Sequence, residues 1–207
     1  MSDSYTLLGV LLTFLCIGGF IAVVGVGIVF VMIRSGKAAN RGWADLASRL
    51  GLTLIKPTGL FGSPQIKGMF RQRAIHLFIY DAGSQGNRSI HTAAALTVSN
   101  PVDAAFEITP AGVIGNFLVK MTAAQDVELG SPAFDERFVI RSNPPELAVK
   151  ALGEAGLQAA IMGVPGTFRI ELQGPSLAFS QAGTQTNTDF LTRMFGTLSD
   201  IADRIEA

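Results

Sequence analysis

Cysteine is nearly absent. Cys16 is the only one in 207 residues and lies within an apolar run, so no disulfide forms within the chain and no thiolate cluster binds a metal. Histidine is almost as scarce, with His76 and His91 alone. Two imidazoles fall short of the three or more protein ligands that a zinc site generally takes. Net charge is zero, from 16 basic and 16 acidic side chains, which removes the positive footprint of a nucleic-acid binder. Phosphate-binding glycine patterns are missing as well. Gly25-Val-Gly27 sits in the apolar run. Gly83-Ser-Gln-Gly86 has neither the three spaced glycines of a dinucleotide fingerprint nor the Gly-Lys-Ser/Thr of a P-loop, and reads as a hairpin loop.

Charge is also missing from Thr6 to Ile33, a run of 28 residues. A bilayer core of about 30 Å needs about 20 apolar residues in a helix, so this segment is expected to span a membrane with some tilt. Its leader, Met-Ser-Asp-Ser-Tyr, has no Lys or Arg. A cleavable signal peptide has a basic start and an apolar core of only about 7 to 15 residues, so the segment reads as retained. Arg34, Lys37, Arg41 and Arg49 follow it, while Asp3 precedes it. Basic flanks mark the cytoplasmic side. The expected order is a short extracytoplasmic N-terminus (1–5), a transmembrane helix (6–33), a juxtamembrane linker (34–42) and a cytoplasmic domain (43–207). The mean hydropathy of +0.39 is high for a soluble protein, and this one segment accounts for the excess.

Within that segment Gly18, Ala22 and Gly25 fall on one helical face and form a candidate stripe for docking a second membrane helix. Glycine is also frequent in membrane helices generally, and Gly9, Gly19 and Gly27 lie off the stripe. Just after the span, Trp43, Leu46, Ala47 and Leu50 follow helical spacing up to Gly51. Trp43 beside Arg41 suits either an interfacial anchor or a core tryptophan covering a sheet.

From Leu52 the pattern becomes that of strands: LTLI, QIKGMF, RAIHLFIYD, HTAAALTVSN and AFEITPAG. They succeed one another without intervening helices, which implies antiparallel pairing. In RAIHLFIYD the residues Ile75, Leu77 and Ile79 share the buried face, with Ala74, His76, Phe78 and Tyr80 on the other. A loop around Gly130-Ser131-Pro132 leads to a strand with Phe138 and Ile140 inward. Asn143, Pro144 and Glu146 then read as N-cap, first position and capping-box partner of a helix to Leu152. A second short helical piece runs to Met162, and TFRIELQ and SLAFSQ form a closing hairpin around Gly174-Pro175. Last comes an amphipathic helix with Phe190, Leu191, Met194, Phe195, Leu198, Ile201, Ala202 and Ile205 on its apolar face. The expected fold is α+β: an antiparallel sheet packed against short helices and a long C-terminal amphipathic helix, behind one N-terminal transmembrane helix.

No catalytic constellation emerges. Asp126, Glu128, Asp135 and Glu136 are the densest carboxylates, yet Asp126-Val-Glu128-Leu alternates as a solvated strand face does, and Asp135 suits a turn cap. Arg71 and Arg73, with Lys67 nearby, make a basic hairpin suited to lipid phosphates or an acidic partner. Arg34, Lys37, Arg41 and Trp43 are further contact candidates.

Phe106-Glu-Ile-Thr-Pro-Ala-Gly112, followed by the run Gly130-Ser-Pro-Ala-Phe-Asp-Glu-Arg-Phe-Val-Ile-Arg-Ser-Asn143, resembles bacterial single-pass membrane-anchored proteins of unknown function. The resemblance implies a bacterial inner membrane and supplies no activity or site residues. The functional expectation is a non-enzymatic accessory subunit, without cofactor, of a larger inner-membrane complex of respiratory, photosynthetic or other type, in contact with lipid and with integral-membrane partners. The alternative is a free membrane-tethered module that binds a peptide, lipid or small ligand.

Overall fold

Alternating residues place one apolar set on a common face of the described sheet, and that face is where the described helices gather. The computed structural model describes residues 41–56, 63–82, 89–100, 104–112 and 124–207. The chain divides into two compact units, Met1–Ala39 and Asn40–Ala207. The first unit lies outside the described residues, and with it residues 6–33, expected from the sequence to span a membrane, and Gly18, Ala22, Gly25, Arg34 and Lys37. Among the described residues no helix is long and apolar enough to cross a membrane.

The second unit opens with α1, residues 41–50, so Arg41 and Gly42 are helical rather than part of a linker. Gly51 ends it with φ +65°, and Leu52 N–H donates to Ala47 O at 2.8 Å, the left-handed stop that glycine permits. Strands follow: β1 (Thr53–Ile55), β2 (Gln65–Phe70), β3 (Arg73–Ala82), β4 (Ser89–Thr97), β5 (Ala105–Pro110) and β6 (Gln125–Asp126). Then come α2 (Pro132–Arg137), β7 (Phe138–Asn143), α3 (Pro145–Leu152), α4 (Ala155–Met162), β8 (Phe168–Gln173), β9 (Ser176–Ala182) and α5 (Thr188–Glu206).

The described strands join one sheet in the order β1-β2-β3-β4-β9-β8-β5-β7-β6, and every pairing among them is antiparallel. The fold is α+β with a large antiparallel sheet and a C-terminal helix, as the sequence pattern implies. The β8–β9 hairpin inserts between β4 and β5 and joins the β1–β4 meander to β5, β7 and β6 in one sheet.

Two local readings are corrected. Residues 132–137 form a helix instead of a loop: Pro132 begins it, and Asp135 accepts from Leu129 N–H at 3.0 Å and Ser131 N–H at 2.9 Å. At α3 the cap shifts by one residue. Asn143 ends β7, Pro144 is the N-cap, and Ser142 Oγ donates to Pro144 O at 2.6 Å. The following Pro145 takes the first helical position, where a missing N–H costs nothing.

The apolar side is one core built from α1, Phe134 of α2, α3, α4, α5 and the inward strand residues. A chain of rings crosses it, Phe134–Phe138–Phe168–Phe179–Phe190, with centroids 4.8, 5.6, 5.8 and 6.0 Å apart. Such spacings suit tilted and edge-to-face aromatic pairs. The C-terminal helix α5 lays Leu191, Met194, Phe195, Leu198, Ile201 and Ala202 into this core, and Asn187 Oδ1 caps its start by accepting from Phe190 N–H at 2.9 Å.

Candidate partner-binding face

The other side of the sheet carries no helix among the described residues. Because side chains alternate along a strand, the registers fix which residues stand there. From one edge inward they are Ile55, then Lys67 and Met69, then His76, Phe78 and Tyr80 on β3. Next come His91, Ala93 and Ala95 on β4 and Ala178 and Ser180 on β9. Beyond these lie Arg169 and Glu171 on β8, Glu107 on β5 and Arg141 on β7. Ile55 and Met69 are 42% and 60% exposed.

This face is zoned. On β3 and β4 the rings of His76, Phe78, Tyr80 and His91 form a continuous ladder with centroids 4.6, 5.9 and 5.5 Å apart. His76 Nε2 shares a hydrogen bond with Gln65 Oε1 at 3.0 Å, and His91 Nε2 shares one with Ser89 Oγ at 2.9 Å. Burial, and then the nearby Lys67 ammonium, push the His76 imidazole below its usual range. Beside the ladder the small side chains Ala93, Ala95, Ala178 and Ser180 make a floor two strands wide. On the far side Arg169 Nε donates to Glu107 Oε1 at 2.8 Å, and Arg141 Nε donates to Asp126 Oδ1 at 2.9 Å. From β3 to β8 the floor spans three strand spacings, about 14 Å.

The two histidines stand in neighbouring strands, but His91 faces Tyr80 and His76 faces Ala95, so they bracket the ladder rather than converge. Among the described residues no three of His, Cys, Asp and Glu are grouped to hold a metal ion. The carboxylates disperse likewise. Asp126 pairs with Arg141, Asp135 accepts from the N–H groups of Leu129 and Ser131, and Glu128 and Glu136 are exposed, the first in the loop before α2 and the second on α2.

Trp43 is a correction to the contact candidates. It has no exposed surface, and its Nε1–H donates to Gln185 O at 2.8 Å, so it belongs to the core and touches neither lipid nor partner. Arg41 is exposed. The basic hairpin is split by strand alternation: Lys67 stands on the open face, whereas Arg71 and Arg73 reach toward α5. Arg71 pairs with Asp200 at 2.6 Å, and Arg73 pairs with Asp203 at 2.7 Å and Glu206 at 2.5 Å. Their charges are thereby compensated within the chain.

The Glu107–Arg169 pair is the feature of this face that sequence reasoning missed. The two residues are 62 positions apart and meet only because the last hairpin inserts beside β5, so no local spacing announces them.

No family model matches this chain, and no curated protein matches it. Among solved structures it is similar to the mycobacterial trehalose monomycolate transport factor A, TtfA. The TM-score is 0.55 and the identity 11%, over 82% of this chain and 96% of that one. At this identity the likeness establishes a shared fold.

Proposed function

We propose that this chain is a non-catalytic, membrane-tethered accessory subunit of a bacterial inner-membrane assembly. Residues 6–33 hold it in the bilayer with the α+β domain in the cytoplasm, and the open sheet face seats a partner subunit. The observation that carries the reading is the one-sided sheet: nine described strands with all described helices on one face, and on the other an aromatic ladder beside an Ala/Ser floor. Faces of this make-up, apolar at the centre and ionic at the margin, match the anatomy of protein interfaces. The solved structure of similar fold is that of a mycobacterial transport factor, which favours a transport assembly over a respiratory or photosynthetic host.

The test is gentle solubilisation of the full chain, native separation and identification of co-migrating subunits. An integral-membrane partner is expected, and Phe78→Asp and Ala95→Glu are expected to release it without unfolding the domain. Migration of this chain alone under every mild condition would refute the proposal.

The ladder His76–Phe78–Tyr80–His91 also favours a second reading, a free tethered module that binds a peptide, lipid or small ligand. That reading requires a monomeric domain whose ring resonances shift on ligand addition without any partner subunit.

A further inference from the structure

The ionisable side chains of the open sheet face are ordered across the strands. The registers set Lys67, His76, Ala95, Ala178, Glu171 and Glu107 on a single rung that runs from β2 to β5. Its midpoint falls between Ala95 and Ala178. Counting outward from there, His76 and Glu171 hold mirror positions, and so do Lys67 and Glu107. Lys67 is exposed and has no ion-pair partner among the described residues. Arg141, the next along, is already paired with Asp126.

An arrangement of this kind is complementary to itself. Consider a two-fold axis between two facing copies of the sheet, parallel to the strands and passing midway between β4 and β9. Ala95 then faces Ala178 of the second copy, His76 faces Glu171, and Lys67 faces Glu107, which keeps its bond to Arg169 and gains a second counter-charge. On the neighbouring rung Phe78 comes over Arg169 of the second copy, a ring against a guanidinium. Farther out β1 overlies β7, and the exposed Ile55 and Val139 fall on that facing pair of strands. An axis along the rung itself would set Lys67 on Lys67 and Glu171 on Glu171, the juxtaposition that specific interfaces avoid.

Packed sheets lie about 10 Å apart with their strands about 30° off parallel, and the long Lys67 and Arg169 side chains can span the offset that this angle introduces. From β1 to β7 in the sheet order the overlap is about 34 Å by 18 Å, or about 600 Å² in flat projection. A standard interface takes about 800 Å² of accessible surface from each partner. The chain path agrees with the same axis. Trp43 bonds to Gln185 O and Thr188 bonds to Gly42 O, so α1 begins at the Ala182 end of β9. The axis along the strands leaves α1 of both copies beginning at one end of the pair, as two chains tethered to one bilayer require.

We infer that the partner seated on the open sheet face is a second copy of this chain, in an isologous, sheet-on-sheet dimer. The inference rests on the part of the functional reading that makes this face an interface, and it names the occupant.

The test is sedimentation of the full chain in mild detergent, together with cross-linking. A dimer is expected. Lys67→Glu, an exposed change, should weaken it at least about tenfold, and Lys67→Arg should keep it. Lys67→Glu and Glu107→Lys chains, each impaired alone, should pair when mixed, because the mixed dimer restores both contacts. Cross-linking does not depend on the folding of Glu107→Lys. In a Cys16→Ser background a short bismaleimide should join an Ala95→Cys chain to an Ala178→Cys chain, and should fail to join two Met69→Cys chains, whose positions lie on opposite flanks. A dimer indifferent to Lys67→Glu and without the Ala95–Ala178 cross-link would overturn the inference by placing the contact elsewhere. So would a monomer that co-migrates with a different membrane subunit released by Phe78→Asp, which would leave the accessory-subunit reading standing. A monomer without any companion would remove both.

Discussion

Arg73, at the start of β3, and Glu206, in the last turn of α5, are joined at 2.5 Å across 133 positions of sequence. Glu206 also accepts from Ser99 N–H at 2.8 Å, and Arg73 reaches Asp203 in addition, so the β2–β3 hairpin, the end of β4 and the end of α5 are fastened at one point. Arg73 is only 14% exposed, so its removal leaves two carboxylates crowded without a counter-charge. Arg73→Met is expected to destabilise the domain by about 2 kcal/mol, whereas Arg71→Met, which breaks a half-exposed pair, should change stability by less than about 1 kcal/mol. Urea unfolding of both variants measures the contrast.

The same junction sets an acid sensitivity. The hydrogen bond from Arg73, helped by Ser99 N–H and opposed by burial, holds the Glu206 carboxyl below the usual glutamate range. Folding then favours the charged form, so its contribution is complete above the unfolded value of about 4.3 and is lost as pH falls through the lower folded value. His76, also held low, adds a loss in the same direction, beginning as pH drops below about 6.5. Denaturation midpoints measured from pH 7 to pH 3 should fall, and Glu206→Gln should flatten the lower part of that curve. An unchanged slope in Glu206→Gln would refute this assignment.

Phe179 lies in the middle of the ring chain, between Phe168 and Phe190, and is fully buried. Truncating a buried phenylalanine removes its transfer energy and leaves a cavity, so Phe179→Ala is expected to cost about 3 to 5 kcal/mol. Phe179→Leu keeps most of the volume and should cost less than half as much. Thermal unfolding followed by circular dichroism ranks the two.

Trp43 is the only tryptophan in the chain, so its fluorescence reports on one place. Burial and the bond to Gln185 O predict a blue-shifted emission that anionic vesicles leave unchanged and brominated lipids do not quench. Trp43→Phe, which removes the indole donor and leaves the half-buried Gln185 carbonyl without it, should destabilise by about 1 to 3 kcal/mol.

The sheet was legible because its signals are local. In β3 the alternation of Ile75, Leu77 and Ile79 against His76, Phe78 and Tyr80 states both faces in nine consecutive letters, and α5 declares itself through a long apolar stripe with Asn187 at its head. Helix α2 escaped because six residues with a single buried one, Phe134, are too short for a helical period. The cap at Asn143 was misplaced because Pro144-Pro145 offers two consecutive candidates for the first helical position, and packing chooses the second. The zoning of the open face was beyond a linear reading. Ala95, Ala178, Glu171 and Glu107 fall on one rung only through strand order. Arg71 and Arg73 looked like free cations because their acidic partners lie more than a hundred positions away.

A sheet of nine strands would ordinarily invite growth, since unpaired backbone at an edge templates another chain. Among the described residues the outermost strands are β1, with three residues, and β6, with two. An incoming strand would find only a few rungs to grip at either side. Crowding many copies together therefore carries little risk of runaway fibre formation, and a broad apolar-centred plateau can be left uncovered for recognition without becoming an aggregation hazard along its rims.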